Sequence, residues 1–293
     1  MTMNQNTLMA APKKKTFSTY LTGDAVKNKI NQVIGSKEGV KFIANLISLV
    51  SNNPAIAECE HSTILSSALL GESLKLSPSP QLGHYYIVPF KDNDKNGNLK
   101  RVVATFQLGY KGYIQLAMRS GNYKDLDVIE IREGEYKGKD KTTGKAVIEF
   151  LEDDEEREGL PVVGYYAYFE LLNGFKKSLY WSKTKMQNHA EKYSQAYRTD
   201  LKKGWHYSFW SKDFDGMAFK TMLRQLISKW GILSVEFQTA MANDMSMINE
   251  EGQAVYVDNT DTTEAEVIEP TEYTTIEAEE VKPEAPDPLD NFD

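Results

Sequence analysis

The sequence predicts an α+β fold, and three observations lead to this prediction. Apolar residues recur at helical spacing in residues 24–76 and again in residues 210–231. They alternate at period 2 in residues 103–110, which is typical of a strand with one buried face. Asn173-Gly174, between two apolar segments, is a strong signal for an antiparallel hairpin. We therefore expect helices packed on antiparallel strands.

The N-terminal third is predicted to be helical after a disordered arm. Residues 1–23 are small and polar and predict the arm, for which solvated disorder is favoured over a DNA contact. Residues 24–76 predict three helical segments, broken at Gly35 and at Asn52-Asn53-Pro54. An apolar strand is expected at residues 85–90.

The central segment, residues 101–132, changes from strand to helix. After the alternating residues, the apolar positions of residues 111–119 fall on one side of a helix, and Gly121 is expected to end it as a C′ glycine. The other side of this helix is polar: Lys111, Gln115, Arg119.

Gly109 and Gly112 flank the start of this helix. They would permit close approach of another backbone at a point where free N–H groups and Lys111 can meet a phosphate. The alternative interpretation is a turn that needs a positive φ.

Residues 210–231 predict a second helix with a broad apolar face. Arg224 lies on its polar face and Lys220 at the edge of that face. Because they are four residues apart, their side chains are expected to lie side by side and to engage neighbouring phosphates. A solvated helix face is the alternative. Asp213 and Asp215 resemble the metal-binding pair of a nuclease, but acidic residues are expected in a first helical turn.

The middle of the chain predicts further strands. Residues 126–132 read as a strand and residues 136–145 as a hairpin tip. A phosphate loop at Gly138, Gly144 and Lys145 is rejected, because the glycine spacing is one residue too long and an alanine replaces the serine or threonine that binds magnesium.

The hairpin at residues 162–181 is expected to lead into a third basic helix. Ser182 is predicted to cap this helix, which carries Lys183 and Lys185 near its start. Residues 193–209 are rich in aromatic residues and lysine and are expected to be mobile.

Composition divides the chain into a basic body and an acidic end. The net charge is −8, but residues 250–293 hold 15 acidic residues and one basic residue. Residues 1–249 therefore carry 33 basic and 27 acidic residues, a net charge of +6. The single cysteine excludes an internal disulfide, no apolar segment is long enough to span a bilayer, and the four histidines lack metal-ligand spacing. A cytoplasmic location is expected.

Three segments, in order, resemble the RecT family of phage and prophage recombinases. They are LGHYYIVPF at 82–90, FQLGYKGYIQLAMRSG at 106–121 and DFDGMAFKTMLRQL at 213–226, and the resemblance covers roughly residues 25–240. The chain departs from the family at Phe219-Lys220, where two lysines are usual, so one lysine contact is lost.

The resemblance implies a single-strand DNA annealing protein rather than an enzyme, with a role in recombination and repair. It implies a compact core with a bent antiparallel sheet packed on helices, disordered termini, and assembly into rings or helical filaments. The expected domains are an arm, an annealing domain and an acidic tail: residues 1–23, 24–245, 246–293. DNA would lie in a basic groove with its bases exposed, without nucleotide cofactor, magnesium acting at most as a counterion.

Ten residues are expected to line this groove. Six are carried over by motif position: Gln107, Lys111, Gln115, Arg119, Lys220, Arg224. Four are added from charge alone: Arg132, Lys183, Lys185, Lys212. The expected partners are single-stranded DNA, the annealed duplex and further copies of the chain, with a host single-strand binding protein and a phage-encoded exonuclease as further candidates. The alternative function is a non-catalytic protein that protects single strands or acts as a recombination scaffold.

The end of the chain, Pro288 to Asp293, resembles the acidic, phenylalanine-ended tips of bacterial single-strand binding proteins. Because residues 250–293 contain few core-forming residues, we expect them to be disordered. Two roles are predicted for them, competition with DNA for the groove or docking on host proteins. A solubilising tail without a partner is the alternative.

Overall fold

The computed structural model describes residues 16–93, 98–244, 246–248 and 254–256. Twelve helices are found in these residues: α1 Phe17–Thr22, α2 Asp24–Ile34, α3 Ser36–Ser51, α4 Pro54–Ala57, α5 His61–Ser73, α6 Tyr110–Arg119, α7 Asp154–Gly159, α8 Lys183–Tyr193, α9 Gln195–Lys203, α10 Phe209–Lys212, α11 Phe214–Trp230 and α12 Val235–Asn243. The same residues contain nine strands: β1 Tyr85–Asn93, β2 Leu99–Leu108, β3 Tyr123–Arg132, β4 Tyr136–Lys139, β5 Ala146–Ile148, β6 Val162–Leu171, β7 Lys176–Ser182, β8 Ser246–Ile248 and β9 Ala254–Tyr256. None of the helices described is both long and apolar enough to cross a bilayer. The predicted α+β class is confirmed.

The two predicted breaks between the N-terminal helices are confirmed, but the third predicted segment is divided into two helices, α4 and α5, by residues 58–60. Gly35 has a φ of +85° between α2 and α3, and the Asn53 side chain caps α4. The segment expected to be an arm contains α1, because Phe17 and Leu21 are buried in the core. Residues 1–15, the rest of that arm, lie outside the described residues.

The antiparallel strands form three sheets. Their orders are β1-β2-β8-β9, β3-β6-β7 and β4-β5. The turn between β6 and β7 lies at Asn173-Gly174 as predicted, with a φ of +84° at the glycine. The strand predicted at residues 126–132 is present as β3, and the hairpin whose tip was predicted at residues 136–145 is formed by β4 and β5.

Strand β2 is buried on both faces, which corrects the prediction of a single buried face. Every residue from Val103 to Leu108 is buried, including the polar Thr105 and Gln107. Two helices contact this strand, α5 from earlier in the chain and α12 from far beyond it. Thr105 satisfies its buried hydroxyl by donating a hydrogen bond to the carbonyl of Val88, 3.1 Å away.

The segment between α8 and α11 is ordered around a buried acid, Asp200. Residues 193–209 were expected to be mobile, but they contain α9, which ends at Gly204 with a φ of +67°. The carboxylate of Asp200, 3% exposed, accepts hydrogen bonds from the backbone after this helix. Ser182 caps α8 as predicted, accepting from the N–H of Lys185.

Two short strands fall within the region assigned to the acidic tail. Strands β8 and β9 occupy part of residues 246–256, and β8 pairs with β2 at Phe106. Residues 257–293, for which disorder was predicted, lie outside the described residues.

Candidate nucleic-acid interface

The start of α6 is packed directly on the backbone of residues 83 and 84. A Cβ atom on Gly109 would lie 2.1 Å from the carbonyl oxygen of Gly83, and one on Gly112 would lie 2.1 Å from that of His84. The N–H of Gly109 donates to the same His84 oxygen at 2.9 Å. The predicted close backbone approach is therefore confirmed, and it is made by the chain itself. The positive-φ alternative is wrong, since the φ of Gly109 is −81°.

The outer side of α6 presents basic and polar side chains to solvent. Lys111, Gln115 and Arg119 are all exposed. The pKa of the neighbouring His84 is lowered by burial, and then by the positive charges of Arg119 and Lys111. We call these four residues the α6 basic face: His84, Lys111, Gln115, Arg119.

Arg119 has a structural contact in addition to its exposed position. Its guanidinium donates to the carbonyl oxygens of Leu74 at 2.8 Å and Lys75 at 3.3 Å, just beyond the end of α5. Carbonyl groups at a helix C-terminus attract a cation without neutralising it. Arg119 therefore joins α5 to α6 and still contributes its charge to the surface.

The surface continues from α6 towards α10 through Tyr86. A Cβ on Gly83 would lie 3.1 Å from the Tyr86 hydroxyl and 3.5 Å from Cδ of Lys111, so these two side chains are neighbours. The Tyr86 ring lies 6.4 Å from that of Phe209, and its pKa is raised by burial and by the Asp213 carboxylate. Lys212, which is exposed, lies between Phe209 and Asp213 in the chain.

Two basic residues of α11, Lys220 and Arg224, bind a buried carboxylate. Nζ of Lys220 lies 2.8 Å from Oδ1 of Asp244, and Nη1 of Arg224 lies 3.1 Å from Oδ2. The N–H of Leu108 and the hydroxyl of Tyr113 also donate to this carboxylate, at 2.9 and 3.2 Å. We call these five residues the Asp244 cluster. It ties α11 to β2, α6 and the end of α12.

The Asp244 cluster corrects the expected position of Lys220. The sequence places Lys220 at the edge of an exposed polar face, but it is 6% exposed, while the Arg224 side chain remains 32% exposed. Their predicted side-by-side arrangement is confirmed, because both bind the same carboxylate. Burial and then the Asp244 carboxylate raise the pKa of Tyr113 well above its ordinary value, so Tyr113 acts as a donor here.

Comparison with known proteins places this architecture in a family. A model described as "RecT family" matches residues 40–261, which contain both the α6 basic face and the Asp244 cluster. The uncharacterized protein YqaK of Bacillus subtilis is 38% identical over 229 residues, 78% of this chain and 72% of YqaK. This chain belongs to the RecT family. Protein RecT of Escherichia coli is 29% identical over 197 residues, 65% of either chain. Membership supports a protein of recombination or single-strand annealing.

Three of the residues added from charge contact groups outside the α6 basic face or are exposed on α8 in this RecT family chain. Arg132 donates to the Leu160 carbonyl at 2.9 Å and pairs with Glu130 at 3.3 Å. Lys183 and Lys185 are exposed at the start of α8. Nζ of Lys185 lies 4.3 Å from the centre of the Trp181 ring. Among the described residues, no hydrogen bond or ion pair joins these three to the α6 basic face.

The two acidic residues at the start of α11 have structural partners. Asp213 caps the helix by accepting from the N–H of Gly216 at 2.9 Å, and Asp215 accepts from the hydroxyl of Tyr165 at 2.5 Å. This arrangement supports the helix-terminus interpretation over a metal-binding pair. Within the part of the chain that the structure describes, no group of three or more His, Cys, Asp or Glu side chains is placed to hold a metal ion.

Sequence reasoning missed Asp244 and the stabilising role of the α11 cations. Asp244 follows α12 and precedes a segment rich in acidic residues, so its position in the sequence gives no signal of burial. One signal in the sequence indicated that Lys220 is buried. It lies in a helix with a broad apolar face and directly follows Phe219.

Proposed function

We propose that this protein binds single-stranded DNA along the α6 basic face and anneals complementary strands without nucleotide hydrolysis. The observation that carries the proposal is the exposure of Lys111, Gln115 and Arg119 on one side of a single helix. Within the described residues Lys111 forms no ion pair, so its charge is available to a phosphate. Membership in the RecT family supports the same activity.

The chemistry of this face suits a ligand recognised by its backbone. Cationic side chains bind phosphate whatever the base sequence, and the Gln115 amide can donate to a phosphate or sugar oxygen. Lys111 and Arg119 are eight residues apart on a helix, which corresponds to about 12 Å along its axis. The face is therefore long enough to contact more than one phosphate.

The ten residues expected in the groove are proposed to act in three ways. Direct contacts are assigned to the exposed side chains on or near the face: Lys111, Gln115, Arg119, Lys212. Support from beneath is assigned to three residues on β2 and α11: Gln107, Lys220, Arg224. The remaining three have no bond to the α6 basic face among the described residues, and a contact with another part of the DNA is assigned to them: Arg132, Lys183, Lys185.

The short length of the face makes an oligomer part of the proposal. One helix face of about 12 Å can hold only a few nucleotides, whereas stable pairing of two strands requires a longer segment. Several copies of the chain in a ring or filament would extend the basic surface. A host single-strand binding protein and an exonuclease would supply or prepare the single strands.

Annealing of complementary oligonucleotides tests the proposal. Fluorescently labelled strands, mixed with and without the protein and without nucleotide, should pair faster in its presence. DNA binding without any acceleration of pairing would contradict the proposal and favour a protecting or scaffold role. Hydrolysis of ATP that depends on DNA would contradict the nucleotide-independent mechanism.

A further inference from the structure

The segment from the end of α9 to the first residue of α10 exposes three aromatic side chains at alternate positions. Trp205 is 44% exposed, Tyr207 is 73% exposed and Phe209 is 41% exposed. Large exposed apolar groups that cluster in this way are characteristic of binding surfaces rather than of solvated loops.

The backbone that carries these rings is held by one buried carboxylate. Oδ2 of Asp200 accepts hydrogen bonds from the N–H groups of Tyr207 at 3.0 Å and Ser208 at 2.7 Å, and from the hydroxyl of Ser211 at 2.7 Å. Burial raises the pKa of Asp200, but the hydrogen bonds from Ser211 and Ser208 outweigh it, and the pKa is lowered. The carboxylate therefore stays ionised, and the rings project from a braced segment.

Phe209 connects the exposed aromatic segment to the α6 basic face. Phe209 lies 6.4 Å, between ring centres, from Tyr86, whose hydroxyl neighbours the Lys111 side chain across Gly83. At the other end of the segment, the Trp205 and Tyr207 rings meet edge to face at 5.6 Å. Nζ of Lys203 lies 4.3 Å above the Trp205 ring. Phe209 thus adjoins the α6 basic face, and Trp205 and Tyr207 precede it on the segment that Asp200 holds.

We propose that Trp205, Tyr207 and Phe209 form a stacking platform for the bases of the single strand whose phosphates lie on the α6 basic face. This inference rests on the proposed function and adds a base-binding element to it. Aromatic rings beside a basic track bind single strands with little sequence preference, because every base has a π-face. Stacking uses the face of a base and leaves its pairing edge free, so it is compatible with annealing.

The other occupant that suits an exposed aromatic surface is a second copy of the chain. The lysine over Trp205 and the connection to Lys111 favour a polyanion with flat apolar groups, which describes a single-stranded nucleic acid. The two occupants differ chemically, because only a nucleic acid offers bases that can be removed while its phosphates remain. The experiment uses this difference.

The test compares Tyr207→Ala with Tyr207→Phe on two oligonucleotides of equal length, one with bases and one abasic throughout. Tyr207→Ala should weaken binding of the normal strand about 10-fold, the effect of losing one stacked base. It should leave binding of the abasic strand unchanged. Tyr207→Phe keeps the ring and should bind like the wild type on both strands.

The dependence on salt separates stacking from loss of a phosphate contact. The slope of log K against log salt counts phosphate contacts, so Tyr207→Ala should lower the affinity without changing this slope. Equal weakening on normal and abasic strands, or unchanged affinity for both, would overturn the stacking platform. A change in oligomeric mass without a difference between the two strands would assign the surface to a second copy.

Failure of the stacking platform can be distinguished from failure of the proposed function. If the wild type binds neither oligonucleotide at low salt, the proposed function itself is wrong. If the wild type binds both in a salt-dependent manner and Tyr207→Ala behaves like Tyr207→Phe, only the stacking platform is wrong.

Discussion

Helices α6 and α11 both carry basic or polar groups at four-residue spacing, but these groups face solvent on α6 and a buried carboxylate on α11. On α6, Lys111, Gln115 and Arg119 face solvent. On α11, Lys220 and Arg224 face the buried carboxylate of Asp244. The first set is available to an external polyanion, whereas the second is largely committed to holding the fold together.

The difference comes from a partner that is distant in sequence. Asp244 follows α12 and reaches α11 only because α12 packs against α6 and β2. A buried ammonium that is paired with a carboxylate is tolerated, but an unpaired one is costly. Spacing on a single helix therefore indicates which side chains are neighbours, and it does not indicate which of them meet solvent.

The largest expected effect is on stability, from removal of Asp244. Asp244→Ala should lower the free energy of unfolding by about 3–5 kcal/mol, because it leaves Lys220 buried and unpaired. It also removes the acceptor of Leu108 and Tyr113. Glu152→Ala, at an exposed position, is the control and should change stability by less than about 0.5 kcal/mol. Denaturant unfolding measures both, and equal effects would contradict a stabilising Asp244 cluster.

A smaller loss of stability is expected where α6 meets residues 83 and 84. Gly112→Ala should cost about 1–3 kcal/mol, because the added Cβ would lie 2.1 Å from the His84 carbonyl and must push the backbones apart. Gly159→Ala is a suitable control, since nothing lies within 4 Å of its added Cβ and its φ is not positive. Unfolding midpoints of the two variants measure the difference. If Gly112→Ala were as stable as the control, the close packing of α6 on the backbone of His84 would be contradicted.

The smallest expected effect is a change in the pKa of His84. Burial lowers this pKa first, and the charges of Arg119 and Lys111 lower it further. Lys111→Met should therefore raise the His84 pKa towards its ordinary value of 6.5, whereas Lys220→Met should leave it unchanged. Titration of the imidazole resonances by NMR measures both variants. If the His84 pKa were unchanged in Lys111→Met, Lys111 would not be close enough to His84 to affect it, and the two residues would not share one surface.

Much of the fold could be predicted because its signals are local. Changes of hydrophobic period located α6, the Asn173-Gly174 pair located the β6–β7 turn, and Ser182 located the start of α8. The close approach at Gly109 and Gly112 was also predictable, because glycine in a strand-to-helix connection indicates a crowded backbone. The exposed side of α6 followed from the same periodicity.

The features that could not be predicted depend on contacts between distant segments. Strand β2 is contacted by α12 in addition to α5. The order of residues 193–209 depends on the buried Asp200. Helix α1 forms because Phe17 and Leu21 reach the core, although the surrounding sequence is polar. In each case, a polar or short segment gained its structure from a partner that local spacing does not reveal.

The salt dependence of single-strand binding by Lys111→Met and Lys220→Met tests the central claim most directly. Each variant removes one positive charge from a helix, and each should first be shown by circular dichroism to be folded under the conditions used. If Lys111 contacts a phosphate, the slope of log K against log salt should fall by about 0.7 in Lys111→Met, the value for one contact with a single strand. It should remain at the wild-type value in Lys220→Met. A reduced slope in Lys220→Met with an unchanged slope in Lys111→Met would contradict the account and place the DNA on α11.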